Sequence, residues 1–242
     1  MPTAAGEGKL LQKFSFTRPL LENLLHMKIG LFGGSFNPIH STHIDVANGV
    51  MNRLGLDKVL FVPAGNPYHK EQGEMLPAAL RFELVERAVQ DYEGLEVSDI
   101  DISIDGPTYT IDTLREAAHR YPGAELYFLM GQDSLEAFTT WKDWQQIPNL
   151  GNVVAVSRAE ADHGAMAQEL KLIFPELEKT GDNHWILPGG KSIYIIGDFD
   201  FVISSTQVRE AWRAGQDISS LVPKAVAESL SQHKKDLSQF WR

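Results

Sequence analysis

Five short runs that are apolar at nearly every position punctuate this chain: KIGLF (28–32), KVLFVPA (58–64), LYFLMG (126–131), VVAVS (153–157) and SIYII (192–196). A strand with one face in water alternates apolar and polar residues, so runs apolar on both faces belong to strands covered on both sides. Most of these runs are separated by stretches with helical spacing, at 43–54, 77–90 and 110–120. That alternation predicts an α/β fold: a doubly wound, Rossmann-like parallel sheet with helices on both faces and sites at the carboxyl ends of its strands. The segment 160–190 reads as a helix plus a loop-rich connection. Helical patterns at 205–214 and 223–234 form a small C-terminal helical part. Residues 1–26 read as an extension, so the expected organisation is 1–26, 27–203 and 204–242.

Composition narrows the chemistry. The 242 residues include no cysteine, which excludes disulfides, thiolate nucleophiles and cysteine-held metals. A net charge of −10 lacks the basic footprint of a general nucleic-acid binder, so any anionic ligand needs a local cradle. No apolar stretch approaches the roughly 18 residues of a membrane span. The N-terminal segment is neither strongly basic nor continuously apolar, and the expectation is a soluble, cytoplasmic protein with no membrane or nucleic-acid partner.

The stretch GLFGGSFNPIHSTHIDVA (30–47) follows the first run and leads into a helix starting near Ser41. Gly33 and Gly34 let a backbone turn and a ligand approach closely, and a helix start offers N–H groups and a positive dipole end. This is either an anion cradle or a tight turn. It is not G-x-G-x-x-G, nor a P-loop. The P-loop-like GGKS at 189–192 has Trp185 in place of the first glycine and a strand-like run behind it. His40 and His43, three apart, share a helix face. Imidazoles bond phosphate oxygens and, when protonated, offset developing negative charge. The other readings are a metal pair, for which no third ligand is evident, or capping histidines.

In ISSTQVREAW (203–212), Ser204 and Gln207 have capping-box spacing. Ser205, Thr206 and the helix N–H groups can meet phosphates, with Arg209 one turn on as a cation; the capping box alone marks only a helix start. The DxD-like pairs Asp99/Asp101 and Asp198/Asp200 suggest a glycosyltransferase metal site, but DIDIS is better explained as a strand with one polar face.

Together, GGSFNPIHSTH and ISSTQVR resemble the nucleotidylyltransferase superfamily with its T/H-x-G-H signature. VPAGNPYHK (62–70), GPTYTIDTL (106–114), GQDSLEAFTTWKDW (131–144) and VVAVSR (153–158) narrow the resemblance to bacterial nicotinate-nucleotide adenylyltransferase. It covers about residues 27–235 and implies adenylyl transfer from ATP to nicotinate mononucleotide in NAD biosynthesis. Mg²⁺ would be carried by the ATP phosphates, with no protein metal site. Gly33, Gly34, Ser35 and Phe36 would cradle the phosphates and adenosine, and His40 and His43 would touch the phosphates at the reacting centre. Ser204, Ser205, Thr206 and Arg209 would grip the outgoing pyrophosphate, and Asp133 would lie near the ribose. On the acceptor side, His69 and Lys70 would approach the mononucleotide phosphate and Trp141 would stack on the pyridine ring. Backbone N–H groups around Thr108, Tyr109 and Thr110 would meet the nicotinate carboxylate, and Arg158 would join that side.

Three positions depart from the pattern: Thr42 stands at the glycine of H-x-G-H, Asn37 replaces the more frequent Asp, and Ile104 stands where many relatives carry a basic residue. Two alternatives remain at this level. The acceptor could be nicotinamide mononucleotide or phosphopantetheine, although GPTYT and TTWKDW favour a pyridine nucleotide. A non-catalytic nucleotide-binding regulator, the second, rests on Thr42.

Overall fold

The computed structural model describes residues 27–66, 74–158, 163–199 and 203–241. The extension 1–26, and with it His69 and Lys70, lies outside the described residues. The order is β1 (Lys28–Gly34), α1 (Ser41–Leu54), β2 (Lys58–Pro63), α2 (Ala78–Val89), β3 (Leu95–Val97), α3 (Thr110–Arg120), β4 (Glu125–Gly131) and α4 (Gln132–Glu136). There follow α5 (Ile147–Leu150), β5 (Asn152–Arg158), α6 (His163–Ile173), β6 (Glu178–Gly181), β7 (His184–Ile186), β8 (Ser192–Phe199), α7 (Ser205–Arg213), α8 (Lys224–Gln232) and α9 (Lys234–Phe240).

One sheet runs β3-β2-β1-β4-β5-β8-β7-β6. The pairings from β3 to β8 are parallel, while β7 and β6 add an antiparallel edge. The apolar runs are the inner strands, and their two faces feed two cores. Tyr127 and Leu129 of β4 pack with α1, α2 and the C-terminal helices on one face. Leu126, Phe128 and Met130 pack with α3, α5 and α6 on the other.

Two expectations change. The sheet is mixed, because the loop-rich part of 160–190 contains the hairpin β6–β7; the four residues of β6 are exposed, so no apolar run announces it. DIDIS is not a strand: β3 ends at Val97 and the chain turns at 100–103. Asp99 is bonded to Arg120 and Ser103, and Asp101 is buried against Thr113, so neither belongs to a metal pair. Asp200 lies outside the described residues. Among the described residues no helix is long and apolar enough to cross a membrane.

Candidate active site

Strand order reverses between β1 and β4, and in open α/β sheets the crevice at such a switch point receives the ligand. Gly33 and Gly34 end β1 there, still paired with Val62 and Pro63 of β2. Neither has a positive φ; the turn falls on Phe36, at φ 44°, a region that residues with a Cβ rarely occupy. The glycines therefore do not make the turn, and each has its own physical reason. A Cβ on Gly34 would stand 2.9 Å from Phe36 Cζ, so Gly34 lets the buried phenyl ring fold back over the strand end. Gly33 is exposed, and among the described residues a Cβ there would meet only Phe128, at 3.6 Å.

His40 caps α1 through its carbonyl, which accepts from His43 N–H at 3.0 Å. His43 Nδ1 accepts from His40 N–H at 3.2 Å, which leaves the His43 ring proton on Nε2. The ring centroids lie 3.7 Å apart. His40 is 5% exposed and its Nδ1 has no partner among the described residues. Burial lowers its pKa to about 4, so in the free protein it is neutral and brings no standing charge. The metal-pair reading gains nothing: among the described residues no group of three or more His, Asp or Glu is placed to hold an ion. Ser41 N–H is taken by Leu221 O at 3.1 Å. The Thr42 side chain is buried, at 4% exposure.

The other end of the chain closes over this loop. Ser204 caps α7 as expected: its Oγ accepts from Gln207 N–H at 3.2 Å, and its own N–H donates to Gln207 Oε1 at 2.7 Å. Ser205 Oγ donates to Pro38 O at 2.9 Å. Arg209 donates to Asn37 O at 3.0 Å, to Thr206 Oγ1 at 3.3 Å and to Glu74 Oε2 at 3.2 Å. Ser204 and Thr206 are exposed. Asn37 braces the loop in a way that Asp cannot: its Oδ1 accepts from Leu76 N–H while its Nδ2 donates to Glu74 O.

Across the switch point, Asp133 is exposed in the first turn of α4, directly after β4. Tyr109 is the N-cap of α3 with Thr110 its first residue, and Thr108 is buried beside them. Trp141 is half-buried, edge-on to Phe128 and 5.4 Å from Phe138. Lys142 lies 4.5 Å over the Tyr109 ring and pairs with Asp112 at 2.9 Å, tying the Trp141 turn to the start of α3. Trp144 packs on Phe138 and Phe174 and lines an apolar cleft with Ile173 and Leu187, a packing role. Arg158 closes β5.

Two residues here, Glu74 and Arg81, escaped the reading of motifs, and Asp101 was met there only as half of a DxD-like pair. Glu74 pairs with both Arg209 and Arg213, and its carbonyl accepts from Trp241 Nε1. Asp101, 8% exposed, accepts from Thr113 Oγ1 at 2.6 Å and from Thr108; burial raises its pKa to about 6 against those bonds. Arg81, 1% exposed, is buried on the apolar stripe of α2 with Leu84, Val85, Ala88 and Val89. A cation at a core position of an amphipathic helix is the signal that could have found it.

The central part of the sheet, in the order 3-2-1-4-5, with α7 bonded to the loop that leads from its switch point into α1, is the framework of a nucleotidyltransferase, and a family model described as Cytidylyltransferase-like matches residues 31–211. A "Probable nicotinate-nucleotide adenylyltransferase" of Maridesulfovibrio salexigens is 75% identical over 216 residues, covering 89% of this chain and all of the relative. One of Dehalococcoides mccartyi, with the same description, is 37% identical over 87% of this chain and 97% of its own. The chain belongs to the nicotinate-nucleotide adenylyltransferase family. In fold it is similar to the Plasmodium falciparum nicotinic acid mononucleotide adenylyltransferase complexed with NaAD, at 17% identity and a TM-score of 0.67 over 86% of this chain and 97% of that one.

Proposed function

We infer that this chain transfers the adenylyl group of ATP to nicotinate mononucleotide, giving nicotinate adenine dinucleotide and pyrophosphate in NAD biosynthesis. The observation that carries the assignment to this site is the junction of two motifs from opposite ends of the chain. Ser205 and Arg209 of α7 are bonded to Pro38 and Asn37, directly before His40. Family membership supplies the reaction, and the junction supplies a place for it.

An oxygen of the acceptor's 5′-phosphate attacks the α-phosphorus of ATP in line. A new P–O bond forms as the bond to the bridging oxygen breaks, and pyrophosphate leaves with that electron pair. The attacking phosphate is already anionic at neutral pH, so alignment and charge stabilisation do the work. Gly33, Gly34, Ser35 and Phe36 cradle ATP. His43 and the neutral His40 donate hydrogen bonds to its phosphates, and an anion beside His40 raises the pKa that burial depresses. Ser204, Thr206 and Arg209 receive pyrophosphate, Arg209 exchanging Glu74 for it, while Ser205 keeps α7 on the loop. Asp133 meets the ribose. His69, Lys70, Arg158, Trp141 and the α3 start from Thr108 to Thr110 take the acceptor. Mg²⁺ enters on the ATP phosphates as part of the substrate. The unit of catalysis is 27–203 with the helices of 204–242, preceded by the extension 1–26, and it works in the cytoplasm without a membrane or nucleic-acid partner.

The test is pyrophosphate release by purified protein with MgATP and, in turn, nicotinate mononucleotide, nicotinamide mononucleotide and phosphopantetheine. Strong preference for the nicotinate form is expected. Silence with all three, in a folded protein that binds ATP, would leave a nucleotide-binding regulator.

A further inference from the structure

Arg81 is out of place for a surface-type residue. It is buried on α2, and its guanidinium is bonded to four main-chain carbonyls and, among the described residues, to no carboxylate. Nε donates to Leu76 O at 3.0 Å and Nη1 to Ser35 O at 2.9 Å. Nη2 donates to Ala64 O at 2.5 Å and to Gly65 O at 3.2 Å. Ser35 belongs to the loop after β1, and Ala64 and Gly65 to the loop after β2 that leads to His69 and Lys70. One side chain thus holds the loop assigned to ATP and the loop assigned to the acceptor.

The carbonyls fix the amides. In a planar trans peptide, C=O and the following N–H point in opposite directions. With the carbonyls of Ser35, Ala64 and Gly65 turned toward the guanidinium, the N–H groups of Phe36, Gly65 and Asn66 point away from it. Among the described residues these three amides have no hydrogen-bond acceptor. Unspent amides at the ends of two neighbouring strands, on the far side of a fixed positive charge, suit an anion.

We propose that Arg81 is a positioning residue: by gripping three carbonyls of the loops after β1 and β2, it aims the amides of Phe36, Gly65 and Asn66 at the phosphates and sets the spacing between ATP and acceptor. This rests on the reaction assigned above. A planar fork spans three chain segments at once, whereas a lysine is a point charge without that geometry. Arg81→Lys therefore keeps the cation and loses the alignment.

The experiment has two arms. MgATP and nicotinate mononucleotide are titrated separately into ¹⁵N-labelled wild-type protein; the amide resonances of Phe36, Gly65 and Asn66 are expected to move. If they stay still while those of Ser205 and Thr206 move, or if nothing moves, the proposal is overturned. In Arg81→Lys, kcat falls about 10- to 100-fold, KM rises for both substrates and MgATP binds about tenfold more weakly. A merely structural role would lower the folded fraction and leave KM of the folded remainder unchanged, and that result, or wild-type constants throughout, overturns it. If Arg81→Lys does not fold, the wild-type titration decides. If the wild type turns over no acceptor, the reaction assignment fails, and the amide shifts and MgATP affinity still decide the role of Arg81.

Discussion

Gly34→Ala separates two explanations of the glycine pair by the sign of a stability change. Gly34 has no positive φ, so if nothing crowded the site, an added methyl would stabilise the protein by about 0.4–1 kcal/mol through the unfolded chain. Instead the new Cβ would lie 2.9, 3.1 and 3.2 Å from three atoms of the Phe36 ring, where carbon pairs prefer about 3.5–4.0 Å. That ring has little room to yield: its centroid is 5.7 Å from Phe32, 5.5 Å from Phe61 and 5.1 Å from His43. Overpacking of this kind costs about 1–3 kcal/mol, seen as a Tm lowered by about 2–4 °C per kcal/mol at this size. Displacement of the ring reaches His43 directly, so kcat should fall about tenfold as well. Urea denaturation of Gly34→Ala, Phe36→Leu and the double variant closes the cycle. Leucine removes the far edge of the ring, so the Gly34→Ala cost should shrink by at least about 1 kcal/mol in that background. A Gly34→Ala protein as stable as the wild type, or an equal cost in both backgrounds, refutes the account.

In His43→Ala, kcat should drop by about 100-fold or more while stability, by urea denaturation, changes by about 1 kcal/mol or less; unchanged turnover in a folded variant removes His43 from the mechanism. Two buried groups oppose each other in pH dependence. The His40 pKa is lowered to about 4, so the unfolded chain binds its proton more readily, and the associated stability, about 3 kcal/mol, is present above about pH 6.5 and lost as pH falls toward 4. The Asp101 pKa is raised to about 6, so the folded state holds that proton better, and a similar stability is present at low pH and lost as pH rises from about 4 to 6. Urea midpoints between pH 4 and 6.5 should be flatter in the wild type than in either single variant, rising more steeply with pH in Asp101→Asn and falling in His40→Gln; parallel profiles in all three would sink this accounting.

Much of the fold was legible because its evidence is local. The five apolar runs are the inner strands, and helical spacing placed α1, α2, α3, α7 and α8 within a few residues. The capping box at Ser204 was legible too, since both partners lie three residues apart. The exposed edge β6 and the three-residue β3 lacked such a pattern, and alternating polarity made DIDIS look like a strand where the chain turns.

The site divides along a different line. Motif residues announce themselves by type, so His40, His43, Ser204 and Arg209 could be picked out before their meeting was known. What joins them is not written in residue types. Pro38 and Asn37 receive Ser205 and Arg209 through backbone carbonyls, and every polar partner found for Arg81 is a carbonyl as well. A carbonyl is present at every position and leaves no mark in a sequence. Only the donor can show: an arginine where the α2 stripe calls for an apolar residue. Burying that charge without such partners would be prohibitive, so its position implies a cluster of inward-turned carbonyls before any fold is known. Which loops supply them follows only from the strand order that puts the ends of β1 and β2 side by side.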